Sequence, residues 1–146
     1  MNWWQNGVRF ECQHSGKCCT SRGEFGYVYL TLSDAQKLAD HLKMSVVDFE
    51  SAHCVLRPDG IRVLKEDRGQ TECRFLKNNR CGVYESRPTQ CQTWPFWPEM
   101  MAAKSWNENV VKFCPGVNKG RLVPAREIEQ TLKEQIQSEK ELLARK

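Results

Sequence analysis

Hydrophobic and polar positions change period several times along this chain, which predicts many short elements rather than a few long ones. Residues 7–11 and 26–32 read as strands, the second rich in aromatic and β-branched side chains. Ser33-Asp34 then caps a helix in which Ala35, Leu38, Ala39 and Leu42 recur at helical spacing. A shorter helix, capped by Ser45, runs through Phe49 to about Cys54. The Pro58-Asp59-Gly60 turn leads into a strand over 61–65. Residues 73–76 and 81–84 pair across 77–80, where Asn78-Asn79 supplies turn chemistry. Arg87-Pro88 opens a short helix carrying Cys91, and Ser105 caps another that ends near Cys114. In the last segment, Ile128, Leu132, Ile136 and Leu143 fall roughly on one helical face. The pattern gives a small single α+β domain of short strands and helices over residues 1–124. An amphipathic helix over 125–146 follows, packed on the same domain or on a partner.

At 146 residues the chain is long enough to bury a core without covalent staples. No apolar run approaches the roughly 18–20 residues of a membrane span, and no repeat or low-complexity tract interrupts it. The net charge of +4 is modest. Beyond Ala125 five basic residues meet five glutamates, so the excess lies upstream. Much of it sits beside cysteines, at Lys17, Arg22, Arg74, Lys77, Arg80 and Arg87. Ordinary surface solvation accounts for most of these cations; beside thiolates they would also offset the charge of a multi-sulfur site. There is no basic stripe and no RNA-recognition motif, so nucleic acid is not an expected partner.

The cysteines change the picture most. Seven of the eight fall into three groups: Cys12, Cys18 and Cys19; Cys73, Cys81 and Cys91; and Cys114 in Phe-Cys-Pro-Gly. Thiolates are soft ligands suited to zinc, copper(I) and iron–sulfur clusters. A secreted disulfide framework is the rival reading of an even count. Against it stand an opening without a basic, then apolar, export signal, and adjacent Cys18 and Cys19, each of which would need its own distant partner. Reduced thiols in a cytoplasmic protein are the expectation, with all seven as candidate metal ligands. Cys73 and Cys81 bracket the predicted hairpin and Cys91 follows on a first helical turn, so these three form the expected heart of the site. Neighbouring Cys18 and Cys19 cannot point the same way. One four-sulfur site with three thiols left over is the simplest arithmetic.

Other candidates have plainer readings. His14 could stand in as a ligand, although a loop histidine more often faces solvent. His41 reads as a surface residue and Cys54, beside His53, as a small buried hydrophobe. The run Trp94-Pro95-Phe96-Trp97-Pro98 reads as core that also shields a metal site. Tyr84 reads as a core-facing strand residue. No Ser-His-Asp set, phosphate-cradling glycine loop or paired general-acid carboxylates can be picked out, which sets aside the reaction classes built on them.

In order, the chain carries F-E-C-x5-C-C, C-x-F-L-x4-C-x-V-Y-x2-R-P-x2-C, W-P-F and C-P-G-V-x-K-G. This combination resembles the cysteine-cluster family called CxxCxxCC or YkgJ-type, over most of residues 10–120. The resemblance implies an intracellular, cysteine-ligated domain that chelates zinc or iron, the iron including iron–sulfur clusters. Where the name pattern has its second cysteine, Ser15 stands; Cys12, Cys18 and Cys19 match the other three. Two classes of function follow. One is a metal-dependent enzyme or redox partner acting in redox or modification chemistry. The other is a non-catalytic, zinc-stabilised interaction module or metal handler, meeting a protein partner through its C-terminal helix.

Overall fold

The computed structural model describes residues 2–13, 27–66, 73–78 and 80–145. The candidates His14, Cys18 and Cys19 lie outside the described residues, as does the start of the predicted 26–32 strand. Two apolar clusters organise the rest.

Strand β1 (Val8–Phe10) and strand β6 (Val117–Val123) frame the first cluster as an antiparallel pair. Val8 faces Val123 and both are buried, then the register shifts so that Phe10 meets Val117. Trp4, Phe96, Trp97, Met100, Trp106, Val110 and Ile128 fill the space against them. Nothing in the sequence announced β6. Its middle is polar and only Val123 of its seven residues is buried, so it shows no alternation.

The second cluster is built by helix α1 (Leu32–His41), helix α2 (Val46–His53) and the hairpin of β2 (Cys54–Leu56) with β3 (Arg62–Leu64). Leu30, Ala35, Leu38, Ala39, Phe49, Leu64, Phe75 and Val83 are its buried members. Thr31, not Ser33-Asp34, caps α1. Its hydroxyl accepts the Asp34 N–H at 3.0 Å while the Asp34 carboxylate accepts the Thr31 N–H at 3.2 Å, a reciprocal capping box. Ser45 caps α2 as expected, accepting from the Asp48 N–H. The chain leaves α2 as a strand at Cys54, an element the helical reading of that segment concealed. Gly60, at φ 85°, takes the left-handed position in the turn between β2 and β3. Of the predicted 26–32 strand, the described part makes only a bridge from Tyr29 to Val63, because Thr31 already turns the chain into α1.

The cysteine hairpin is shorter than expected. Strands β4 (Leu76–Lys77) and β5 (Arg80–Cys81) hug the turn, with Asn78 at φ 52°. Tyr84 lies beyond them in a 3-10 turn (Tyr84–Ser86), not in a strand. Helix α3 (Thr89–Thr93) starts after Pro88 as predicted. Helix α4 (Ala103–Ser105) runs on into a π-helical turn over Trp106–Val111. Ser105 therefore lies inside a helical run; instead of capping it, its hydroxyl donates to the Glu99 carbonyl at 2.8 Å.

Helix α5 (Ala125–Ala144) buries Ile128, Gln135 and Ser138. Ile136 and Leu143 are 41% and 56% exposed, which corrects the predicted apolar face. At 3.6 residues per turn Gln135 lies only about 20° from Ile128, whereas Ile136 lies about 80° away. The amide is drawn inside by Thr93, whose hydroxyl donates to Gln135 Oε1 at 2.7 Å. Near the far end of α5, Arg145 donates to Glu50 at 2.6 Å, and Glu50 also takes Arg62 at 2.7 Å. Ile128 belongs to the first cluster and Glu50 to a helix of the second, so α5 ties the two together. The architecture is a small α+β domain. Among the described residues no helix is long and apolar enough to cross a membrane.

Candidate metal centre

Three sequence-distant thiols line one cleft of about 300 Å³: Cys12 after β1, Cys91 within α3 and Cys114 after the π turn. Each is half-buried. Backbone geometry explains how they reach the same cleft. The Glu11 N–H donates to the Gly116 carbonyl at 3.1 Å, which lays the Cys114-Pro115-Gly116 segment against the strand leading to Cys12. That approach needs glycine, since a Cβ on Gly116 would lie 2.6 Å from the Glu11 carbonyl oxygen and 2.8 Å from the Phe10 ring. Cys114 is held from the other side by its own N–H, which donates to the Val110 carbonyl at 2.7 Å.

Cys91 is placed through Asp34. This carboxylate is 1% exposed, and one oxygen accepts both the Thr89 N–H at 3.0 Å and the Thr89 hydroxyl at 2.9 Å. Asp34 thus satisfies a donor at the start of α3 while closing the capping box of α1. The helix carrying Cys91 is pinned by a residue remote from it in sequence.

Two guanidiniums share the cleft wall. Arg87 lies 3.9 Å above the Tyr84 ring and donates from Nε to the Tyr84 carbonyl. Arg121 pairs with Glu127 at 2.7 Å, a hydrogen bond that lowers the Glu127 pKa and raises that of Arg121. Tyr84 therefore lines the cleft under Arg87, which corrects its reading as a core-facing strand residue. Trp94 borders the same space, while Phe96 and Trp97 are buried, so the Trp-Pro-Phe-Trp run serves core and cleft together.

The other described cysteines, Cys54, Cys73 and Cys81, stand elsewhere. Cys73 and Cys81 pack against the second cluster near Phe75 and Val83 and do not line the cleft. Cys54 borders that cluster too, where burial first and the Glu50 charge second push its thiol up to about 11. A metal ligand must be deprotonated, so Cys54 suits apolar packing better than coordination. His53 lies between Phe49 and Phe75 at ring distances of 5.2 and 5.3 Å, whereas His41 is exposed and bonded to Ser86. Among the described residues no three His, Cys, Asp or Glu side chains stand close enough to hold an ion. The chemistry of the donors in the cleft does fit zinc or iron, since all three are thiols with cationic neighbours. Sequence reasoning missed Asp34, Gly116, Arg121 and Glu127 as parts of this site. Only Gly116 carried a signal, as the glycine of Cys-Pro-Gly.

A family model described as "Putative zinc- or iron-chelating domain", CxxCxxCC, matches residues 11–115. An uncharacterized protein of Methanocaldococcus jannaschii is 25% identical over 125 residues, covering 80% of this chain and 40% of the relative. The chain therefore spans less than half the length of that curated relative. No solved structure matches it. With most of its length matched, and with the Cys12, Cys91 and Cys114 thiols gathered at one cleft, the chain belongs to the CxxCxxCC family of zinc- or iron-chelating domains.

Proposed function

We propose that this protein holds iron or zinc at the thiol cleft and uses it in redox or modification chemistry, iron being carried as an iron–sulfur cluster. Cys12, Cys91 and Cys114 are the ligands at the cleft, Cys18 and Cys19 complete this site or a second one, and Cys73 and Cys81 belong to a second. Residues 1–124 constitute the metal-binding domain, working in the cytoplasm. The observation that carries the reading is the arrival of three thiols from distant segments at one open cleft beside Arg87 and Arg121. An iron–sulfur cluster bound there would supply electron transfer, with its potential set by the surrounding hydrogen bonds and exposure. Arg87 and Arg121 offset thiolate charge, and Trp94 and Phe96 limit access of water. Openness favours a centre that meets a partner or substrate over a closed structural shell.

A separate observation supports the alternative, a zinc-stabilised interaction module or metal handler without turnover. Ile136 and Leu143 are exposed on α5, which would offer residues 125–146 to a protein partner. Anaerobic purification followed by elemental analysis and a visible spectrum separates the two readings. Iron with strong visible sulfur-to-iron absorption is the expected result. Colourless protein with near-stoichiometric zinc would favour the alternative, and metal-free protein with an intact fold would contradict both.

A further inference from the structure

A second cavity of about 320 Å³ lies on the other side of α3, where Gln90 faces it while the adjacent Cys91 faces the thiol cleft. Tyr27, Tyr29 and Trp97 supply aromatic wall, and Asp59, Glu99 and Glu139 supply carboxylates. A volume near 300 Å³ suits a small ligand. Among the described residues the cavity's one cation, Arg57, is already committed. Arg57 lies over the Tyr27 and Tyr29 rings at 4.8 and 5.8 Å, donates to the Tyr29 hydroxyl at 3.1 Å and pairs with Asp59 at 3.5 Å.

That leaves Glu99 and Glu139, neither of which forms an ion pair among the described residues. Both line the same cavity. Burial raises the Glu139 pKa, the hydrogen bond from Gln135 at 3.4 Å offsets part of this, and the Glu99 charge adds to it. A second, independent feature points the same way. Ser138 is 7% exposed and lines the cavity, yet its hydroxyl makes no hydrogen bond among the described residues. Two carboxylates and a hydroxyl offer lone pairs, and flat aromatic faces stand beside them. A planar, donor-only cation satisfies that combination, since a guanidinium can fork to carboxylates while stacking on rings, as Arg57 already does here.

We propose that this cavity binds a small guanidinium or amidinium ligand through Glu99, Glu139 and Ser138. The site is independent of the metal and of the thiol cleft. The test is titration of the protein, as isolated, with ethylguanidinium at millimolar concentration, followed by the aromatic and glutamate side-chain NMR signals. Ethylurea serves as the neutral isostere and butylammonium as the non-planar cation. Saturable shifts at Tyr27, Tyr29 and Trp97 are expected with ethylguanidinium, and binding at least about tenfold weaker with either control. Hydrogen bonds to charged groups are among the stronger ones, so Glu99→Gln and Glu139→Gln should each weaken binding roughly tenfold or more. Ser138→Ala should weaken it less. Glu99 is exposed, so its variant tests the site even if Glu139→Gln disturbs the fold. Equal binding of ethylurea, equal binding of butylammonium, unchanged affinity in Glu99→Gln, or no binding at all would overturn the proposal.

Discussion

A single missing methyl group decides whether the two ends of the cleft can meet. Gly116 has no room for a Cβ, because the obstructing atom is the Glu11 carbonyl oxygen and backbone cannot swing aside as a side chain can. Gly116→Ala should therefore cost about 1–3 kcal/mol of stability, the usual range for overpacking. It should also release metal more readily, because the Cys114 segment moves away from Cys12. Denaturant unfolding combined with metal content after dialysis checks both effects, and full stability with full metal would contradict this role. Cys54 yields a prediction of opposite kind. Its folded-state pKa is raised from an ordinary 9.0 to about 11, so the folded state holds the thiol proton more tightly than the unfolded chain. Its contribution to stability is thus complete below pH 9 and fades as pH rises through about 11. Comparing wild type with Cys54→Ala cancels the groups they share, and the stability difference between them should shift against wild type across that window. A pH-independent difference would show that the thiol is not held neutral by burial.

Among the elements, legibility follows how much of the stabilisation is local. Helices α1 and α2 were readable because apolar spacing and a polar cap lie within a few residues of one another. The Thr31 cap was misplaced by two residues because Asp34 works at the third helical position and reaches back. Strand β6 was not readable, since its partner β1 is remote in sequence and its own middle faces away from the core. Helix α5 was found, but its inward face was misjudged. No sequence window shows that Thr93, distant along the chain, will draw Gln135 inside. That junction is testable. Thr93 is 1% exposed, donates to Gln135 and accepts the Trp97 indole N–H at 2.9 Å. The near-isosteric Thr93→Val keeps the volume and strips a buried acceptor of its donor, which should cost about 1–3 kcal/mol in denaturant unfolding. A change near zero would mean that apolar packing alone seats α5.

At the scale of the whole molecule, the candidate site was legible as a set of cysteines but not as a place. Residue order within the family pattern named seven thiols; the fold brings Cys12, Cys91 and Cys114 to one cleft and sets Cys73 and Cys81 against the second apolar cluster. Spacing along the chain carries no information about which turn of backbone faces which cavity, and here that is decided by Asp34 and Gly116. An ion held between Cys12 and Cys114 would join segments from opposite ends of the matched region, so metal binding would add to fold stability by mass action. The most direct measurement is the metal retained by a series of single serine variants, purified anaerobically and assayed by elemental analysis. Cys12→Ser, Cys91→Ser and Cys114→Ser should each lose most of the bound iron or zinc, whereas Cys54→Ser should retain it. Retention by all three cleft variants, or a loss in Cys54→Ser as large as that in Cys91→Ser, would contradict a metal centre at this cleft.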